Sequence, residues 1–469
     1  MTFSNNLRSS TPSEWVVTAN DGNTLLANNP STGETFSGSP AAFRAKFAVS
    51  SSGVTFIRKD NRVAHRFGGG TGPSLGTQQL RTFILRLEAE APYRRLRFHF
   101  LNAKTGGPTI NPIKFAAAAT DTLSEASTTL RCQPHVAGVP YSTLAADAGS
   151  PGWIPGFFNG VSSVAIPAAA STYRRGALSS DWLDISSLPR TDVVNGRPGT
   201  LLRIYGDIEW TTMGNIATDA SATVTAWRSN QSAPWYRIHD MSSYTGDGVA
   251  DLTQNGGSIS NVMVHLIVEY DYENPGIGVL GIGDSLTENS YERGKYAAWG
   301  HISCATVSSP SCPVMFQNCG HAGQTADVFD LPGLDMIALT KPSVIFHQAY
   351  SPNPSATEAT AARIALSMSR LNRTIAAAKD YGSRVCVWSP LANDSWDSTD
   401  DAGRLALRQL MINRASTGEI DLLDFEADLM TTAVPARVKP ELKLDSTHPN
   451  ALGLNIMAEK GAAYLRQFI

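Results

Sequence analysis

The chain has 469 residues, of which 42% are hydrophobic and 17% charged, and its formal net charge is −3. That length favours two or more domains with sizeable cores. The small net charge gives no broad electrostatic basis for binding nucleic acid or an anionic membrane. No stretch approaches the roughly 18 apolar residues of a membrane span.

The first ten residues lack the apolar core of a signal peptide. An extracellular or virion-associated location therefore stays open, and so does the oligomeric state. Residues 1–40 are polar and read as an arm or linker. Residues 15–18, 83–87, 96–101, 201–205 and 262–270 alternate or run apolar over strand lengths, between Gly, Pro, Asn and Ser clusters. A short helical turn is expected at residues 115–119. Several strands with long connections point to an all-β sandwich, jelly-roll-like, over residues 41–274. Residues 68–76 are glycine-rich but lack the lysine of a phosphate loop, so they read as a flexible loop. Six of the nine tryptophans precede residue 275: Trp15, Trp153, Trp182, Trp210, Trp227 and Trp235. Their rings could stack on sugars, though core packing is the commoner use of tryptophan.

At Pro275 the pattern changes, and residues 275–469 read as a second domain. Strands are expected at 278–282, 314–317, 343–347, 384–388 and 420–423. Helices are expected at about 291–307, 357–379, 401–415 and 451–466. This alternation implies an α/β unit, a parallel sheet covered on both faces in three layers. Functional groups in such a sheet gather beyond the carboxyl ends of the strands.

Two clusters carry hydrolytic chemistry. Gly283-Asp284-Ser285-Leu286 follows the first strand of the second domain, and Asp445-Ser446-Thr447-His448 lies near the C-terminus. A serine hydroxyl is a weak nucleophile until a histidine takes its proton, and the histidine needs a carboxylate to fix its tautomer. Ser285 at a strand-to-helix turn would be exposed beside backbone N–H groups that can meet an oxyanion. Gly283 is expected to permit that tight turn. The plain alternative is that Asp284 or Ser285 merely caps a helix. His301 and His347 read as structural, and His321 as a loop histidine.

The stretch from Gly278 to the C-terminus resembles the SGNH hydrolases, the family also called GDSL esterases and lipases. Its first block is intact at Gly283-Asp284-Ser285-Leu286 and its last at Asp445 and His448. A second block matches Asn318-Cys319-Gly320-His321-Ala322-Gly323-Gln324-Thr325. The resemblance implies a flavodoxin-like three-layer domain, Ser285 as nucleophile, His448 as base and Asp445 as its orienting carboxylate. It also implies an oxyanion hole made by the Ser285 and Gly323 N–H groups and an asparagine side chain. The family usually takes that asparagine from Gly-x-Asn-Asp. Here the third strand leads into Tyr350-Ser351-Pro352-Asn353-Pro354, without the glycine or the aspartate. Asn353 is the candidate, Gln348 an outside one, and Asn393-Asp394 a decoy because it follows the fourth strand. The implied activity is a serine esterase acting on short acyl esters, with O-acetyl groups on a carbohydrate as first choice. A general short-chain or lipid esterase is the alternative, as is an inactive glycan-binding or structural protein such as a phage tail component. The expected partner is an acylated carbohydrate or other small ester. No metal and no cofactor is expected, since no His/Asp/Glu spacing suggests ligands.

The five cysteines are Cys132, Cys304, Cys312, Cys319 and Cys386, with no Cys-x-x-Cys pair. A disulfide among Cys304, Cys312 and Cys319 and a set of buried thiols are both open. Cys386, in an apolar run, reads as a buried thiol.

Overall fold

The structure is a computed structural model. It describes residues 16–20, 25–28, 35–38, 57–65, 80–88, 91–102, 110–119, 154–155, 157–160, 176–184, 201–210, 236–240, 258–260, 266–288, 298–321, 330–353 and 361–469. A nine-stranded mixed sheet organises the functional half. Its antiparallel part contains β1 (Asp60–His65), β2 (Tyr93–Asn102), β3 (Gly176–Ser179) and β4 (Leu183–Asp184). The strand that joins the two parts is β5 (Leu266–Asp284). Its parallel part adds β6 (Val314–His321), β7 (Val344–Gln348), β8 (Arg384–Trp388) and β9 (Asp421–Leu423).

The first half of β5 pairs antiparallel with β1 and β2, and its second half pairs parallel with β6 and β7. Pro275 sits where the first pairing shifts register, just before Ile277 opens the pairing with β6. A proline cannot donate to a ladder, so this change of partners is where it fits. The expected boundary at 274/275 thus falls inside one strand. The parallel strands lie in the order β6-β5-β7-β8-β9. In chain order that is 2-1-3-4-5, the flavodoxin-like winding, whose switch point lies beside the first strand.

The helices are α1 (Ser285–Glu288), α2 (Trp299–Val307), α3 (Asp330–Thr340), α4 (Ala361–Tyr381), α5 (Ser398–Ser416), α6 (Glu426–Leu429) and α7 (Ala451–Arg466). They cover both faces. Trp299 of α2 stacks on Phe346 of β7 at 5.0 Å, and Tyr464 of α7 approaches the same ring at 6.1 Å. On the other face, Gly333 of α3 lies against Ile282. Ile282 pairs with His347, which points opposite to Phe346 because strand side chains alternate. A core of aliphatic and aromatic residues, including Trp388, Leu371, Leu407 and Phe425, is fully buried between the layers.

Several expectations change. Residues 115–119 are not a helical turn but belong to the strand Ile110–Ala119, paired with Leu201–Trp210. Its four alanines favour helix intrinsically, but cross-strand pairing decides the outcome. Helix α3 was not among the expected elements, and Pro332 and Gly333 both disfavour a helix interior. They sit in its first turn, where a proline's missing N–H costs nothing. Residues 16–38 contain a three-stranded antiparallel sheet within the polar opening. A second antiparallel sheet of six strands is built from residues of 80–260. The first of these replaces part of the arm or linker expected over residues 1–40, and the second lies within the β-rich stretch 41–274, whose sandwich packing remains an expectation. Residues 68–76 lie outside the described residues.

Cys304, Cys312, Cys319 and Cys386 are free and buried. Cys132 lies outside the described residues. Among the six N-terminal tryptophans, the described ring contacts fall on Trp182, which has the guanidinium groups of Arg95 and Arg97 at 4.8 and 4.7 Å. No described helix is long and apolar enough to cross a membrane.

Candidate active site

The site forms at the carboxyl end of β5, beside the switch point. β5 ends at Asp284 and α1 begins at once with Ser285. Gly283 is part of the strand and does not carry the positive φ expected of a tight turn. Its role is space. A Cβ there would come within 2.1 Å of Thr287 Oγ1 and 2.2 Å of Gln348 Oε1. Gly320 of β6 has the same function, since a Cβ would fall 2.3 Å from the Glu288 nitrogen. The two glycines let α1 lie directly on the strand ends.

The second wall is the loop ahead of α7. Asn450 caps that helix by accepting from the Leu452 and Gly453 N–H groups. The Leu444 N–H donates to the His448 carbonyl at 2.7 Å, which closes the loop on itself. Asn393 Nδ2 donates to Thr447 Oγ1 at 2.8 Å, and the Asp394 N–H donates to the Ser446 carbonyl at 2.9 Å. Lys443 Nζ donates to Asp394 Oδ2 at 2.5 Å. The pair that reads as a decoy for the oxyanion donor therefore braces the histidine loop.

These two walls bring Ser285, His448 and Asp445 together. Ser285 Oγ lies 2.8 Å from His448 Nε2, across 163 residues of sequence. His448 Nδ1 lies 2.9 and 3.0 Å from the two Asp445 oxygens. Ser285 is 2% exposed and His448 8%, whereas the Asp445 side chain is 43% exposed. Burial raises the Asp445 carboxyl, but the His448 and Thr447 N–H donors and the His448 ring together hold it below its usual range. An acceptor kept ionised on Nδ1 fixes the tautomer that leaves Nε2 facing the hydroxyl.

Asp284 is fully buried beside the serine. Its Oδ1 accepts from the Leu286 N–H at 2.9 Å. Its Oδ2 accepts from the Ser351 hydroxyl at 2.5 Å and from Asn353 Nδ2 at 3.3 Å. Burial pushes this carboxyl up to about 6, against the lowering by the Ser351 and Leu286 donors and by His448. Asn353 thus reaches the Ser285 end of the sheet through Asp284. Gln348, the outside candidate, is engaged within the site wall. Its Oε1 accepts from the Asp284 N–H and from Thr287 Oγ1, and its Nε2 donates to the Tyr350 carbonyl. Gly323 lies outside the described residues, as does the side chain of His321. Asn318, from the same block, ties β6 to α1 by donating to the Glu288 carbonyl and accepting from the Gly320 N–H. His301 packs edge-on to Phe316, and His347 is buried, its ring held neutral by a pKa lowered to about 3. Both fit the structural reading. Among the described residues no group of three or more His, Cys, Asp or Glu is arranged to hold a metal ion.

Comparison with known proteins gives a likeness confined to one part of the chain. The chain is similar to lipolytic proteins of the G-D-S-L family. One such structure, from Veillonella parvula DSM 2008, is 20% identical, with a TM-score of 0.31, covering 40% of this chain and 97% of the other. A GDSL-like lipase from Bacteroides thetaiotaomicron VPI-5482 is 16% identical, with a TM-score of 0.31, covering 40% and 86%. An acetyl xylan esterase is 17% identical, with a TM-score of 0.33, covering 40% and 98%. No family model and no curated protein matches the chain. At these identities and TM-scores, the assignment of chemistry rests on the residues themselves.

Proposed function

We propose that the chain is a serine ester hydrolase of SGNH type. The observation that carries this reading is the continuous hydrogen-bonded run from Ser285 Oγ through His448 to Asp445. Ser285 Oγ attacks the ester carbonyl, and its proton passes to His448 Nε2. The imidazolium formed is stabilised by Asp445, which stays ionised. Collapse of the tetrahedral intermediate expels the alcohol, which takes the proton back from His448. Water then enters, gives a proton to the same nitrogen and attacks the acyl carbon; collapse breaks the bond to Ser285 Oγ, which takes the proton back from His448 as the acid leaves.

The oxyanion is met by the Ser285 and Gly323 N–H groups and the Asn353 amide. Each such donor is worth about 100-fold to 1000-fold in rate. The preferred substrate is a short acyl ester, an acetyl group on a carbohydrate hydroxyl. The N-terminal β-structure supports this choice only as a platform that could carry a polymeric substrate.

The test is turnover of 4-nitrophenyl esters from acetyl to octanoyl, with acetate release from acetylated polysaccharides alongside. Acetyl should be the best acyl group. Ser285→Ala should fall below about one per cent of wild-type turnover while melting close to wild type. A fluorophosphonate should phosphonylate Ser285 alone, with loss of fluoride. Retained turnover in the variant, or labelling elsewhere, would overturn the nucleophile assignment.

A further inference from the structure

The block after β7 departs from the family pattern where order matters most. The sequence offers Ser351-Pro352-Asn353, and Ser351 takes the place of the usual glycine. Glycine contributes no side chain to a hydrogen-bond network, whereas this serine sits at the centre of one.

Ser351 is fully buried, as is Asp284. The Ser351 hydroxyl donates to Asp284 Oδ2 at 2.5 Å, the length of a charge-assisted O–H···O bond. The Ser351 hydroxyl oxygen accepts the Asn353 backbone N–H at 3.2 Å. Asn353 Nδ2 in turn donates to Asp284 Oδ2 at 3.3 Å. Asp284 is fixed from its other side by the Leu286 N–H, one residue beyond Ser285. The chain of contacts therefore runs from the nucleophile's own turn, through Asp284 and Ser351, to both ends of Asn353.

We infer that Ser351 is a positioning residue. Together with Asp284 it aims the Asn353 amide at the oxyanion, replacing the order that Gly-x-Asn-Asp supplies elsewhere. The inference rests on the ester hydrolase reading above. An amide is planar and carries two hydrogens. Committing one of them to Asp284 fixes the direction of the other. The Asn353 backbone is held independently by the Ser351 acceptor, with Pro352 restricting the residue before it. Misplacing a catalytic donor by about 1 Å can cost about 100-fold.

The test is a double-mutant cycle with Ser351→Ala and Asn353→Ala. Ser351→Ala alone should lower kcat tenfold to 100-fold and move KM less than threefold, because an oxyanion donor acts in the transition state. Asn353→Ala should lower kcat more. The double variant should be no worse than Asn353→Ala alone, since Ser351 acts through Asn353. A structural contribution would instead multiply the two losses, and that result overturns the inference.

A second readout needs no turnover. The Asn353 side-chain amide pair, identified by its loss in Asn353→Ala, should shift in NMR spectra of Ser351→Ala. Unmoved resonances overturn the inference even if every ester proves inert. Failure of the hydrolase reading itself would show differently, as a wild-type protein without turnover or fluorophosphonate labelling.

Discussion

Replacing Asp284 by asparagine should stabilise the protein at neutral pH while slowing it. Asp284 has no exposure to water, and its carboxyl rises from 3.8 to about 6, chiefly because burial penalises the charge. At about 1.4 kcal/mol per pH unit, ionising it in the folded state costs about 3 kcal/mol. Below about pH 4 the native and unfolded chains both hold the proton, and there is no cost. Between about pH 4 and 6 the unfolded chain ionises first, so stability falls as pH rises. Above about 6 the whole cost is present. Asparagine keeps the shape and removes this term. It also changes one acceptor into a donor, facing either the Leu286 N–H or the Ser351 hydroxyl, and that offset does not depend on pH.

The informative quantity is therefore the slope. Urea unfolding of both proteins at pH 4, 5, 6 and 7 should show the variant gaining up to about 3 kcal/mol on wild type across the series. His347 titrates in the opposite sense. Burial holds its ring down at about 3, so its contribution is lost as pH falls below the ordinary histidine value, but it is common to both proteins and cancels in the difference. A difference that is flat with pH, or that shrinks toward neutrality, would refute the assignment of the raised carboxyl. A gain in stability with a fall in kcat is the trade expected where a destabilised group serves the site.

Two further outcomes follow from the same geometry. Activity should fall in acid as Asp284 takes up its proton at about 6, because Asp284 must be ionised to hold Asn353. The charge that lowers the Asp284 carboxyl is that of His448, and Asp284→Asn should remove the part of the kcat–pH profile that Asp284 sets, so that a profile identical to wild type would contradict the link. Asn393→Ala should remove the bond to Thr447 Oγ1 and loosen the histidine loop, lowering kcat by about tenfold with little change in KM. An unchanged kcat would mean that the Asp394 and Lys443 contacts hold the loop without it.

The proposed reacting groups could be read from the sequence because chemistry restricts them to few residue types in few local settings. A serine straight after a buried strand and an Asp-x-x-His run before a helix are both recognisable in one dimension. The alternation of strands and helices after Pro275 was equally legible, since a doubly covered parallel sheet leaves continuous apolar runs. Elements whose local preference opposes their final state were not legible. The alanine-rich strand Ile110–Ala119 and the helix Asp330–Thr340, with Pro332 and Gly333 in its first turn, are decided by what they pack against.

The supporting residues escaped for a different reason. Asn393 sits 54 positions from Thr447, and Ser351 sits 67 from Asp284, so nothing in the local sequence around either marks its partner. Their types are common surface types that elsewhere cap turns. What distinguishes them is contact with a site, and that contact is a property of the folded chain. The departure from Gly-x-Asn-Asp shows the consequence. Judged by motif alone, Tyr350-Ser351-Pro352-Asn353 looks like a decayed block. Judged by its contacts, the serine hydroxyl takes over the work of order from a glycine turn, using a carboxylate that the first block already supplies. A motif defined by residue identity would score the change as a loss, while the hydrogen bonds to Asp284 make it a substitution of one restraint for another.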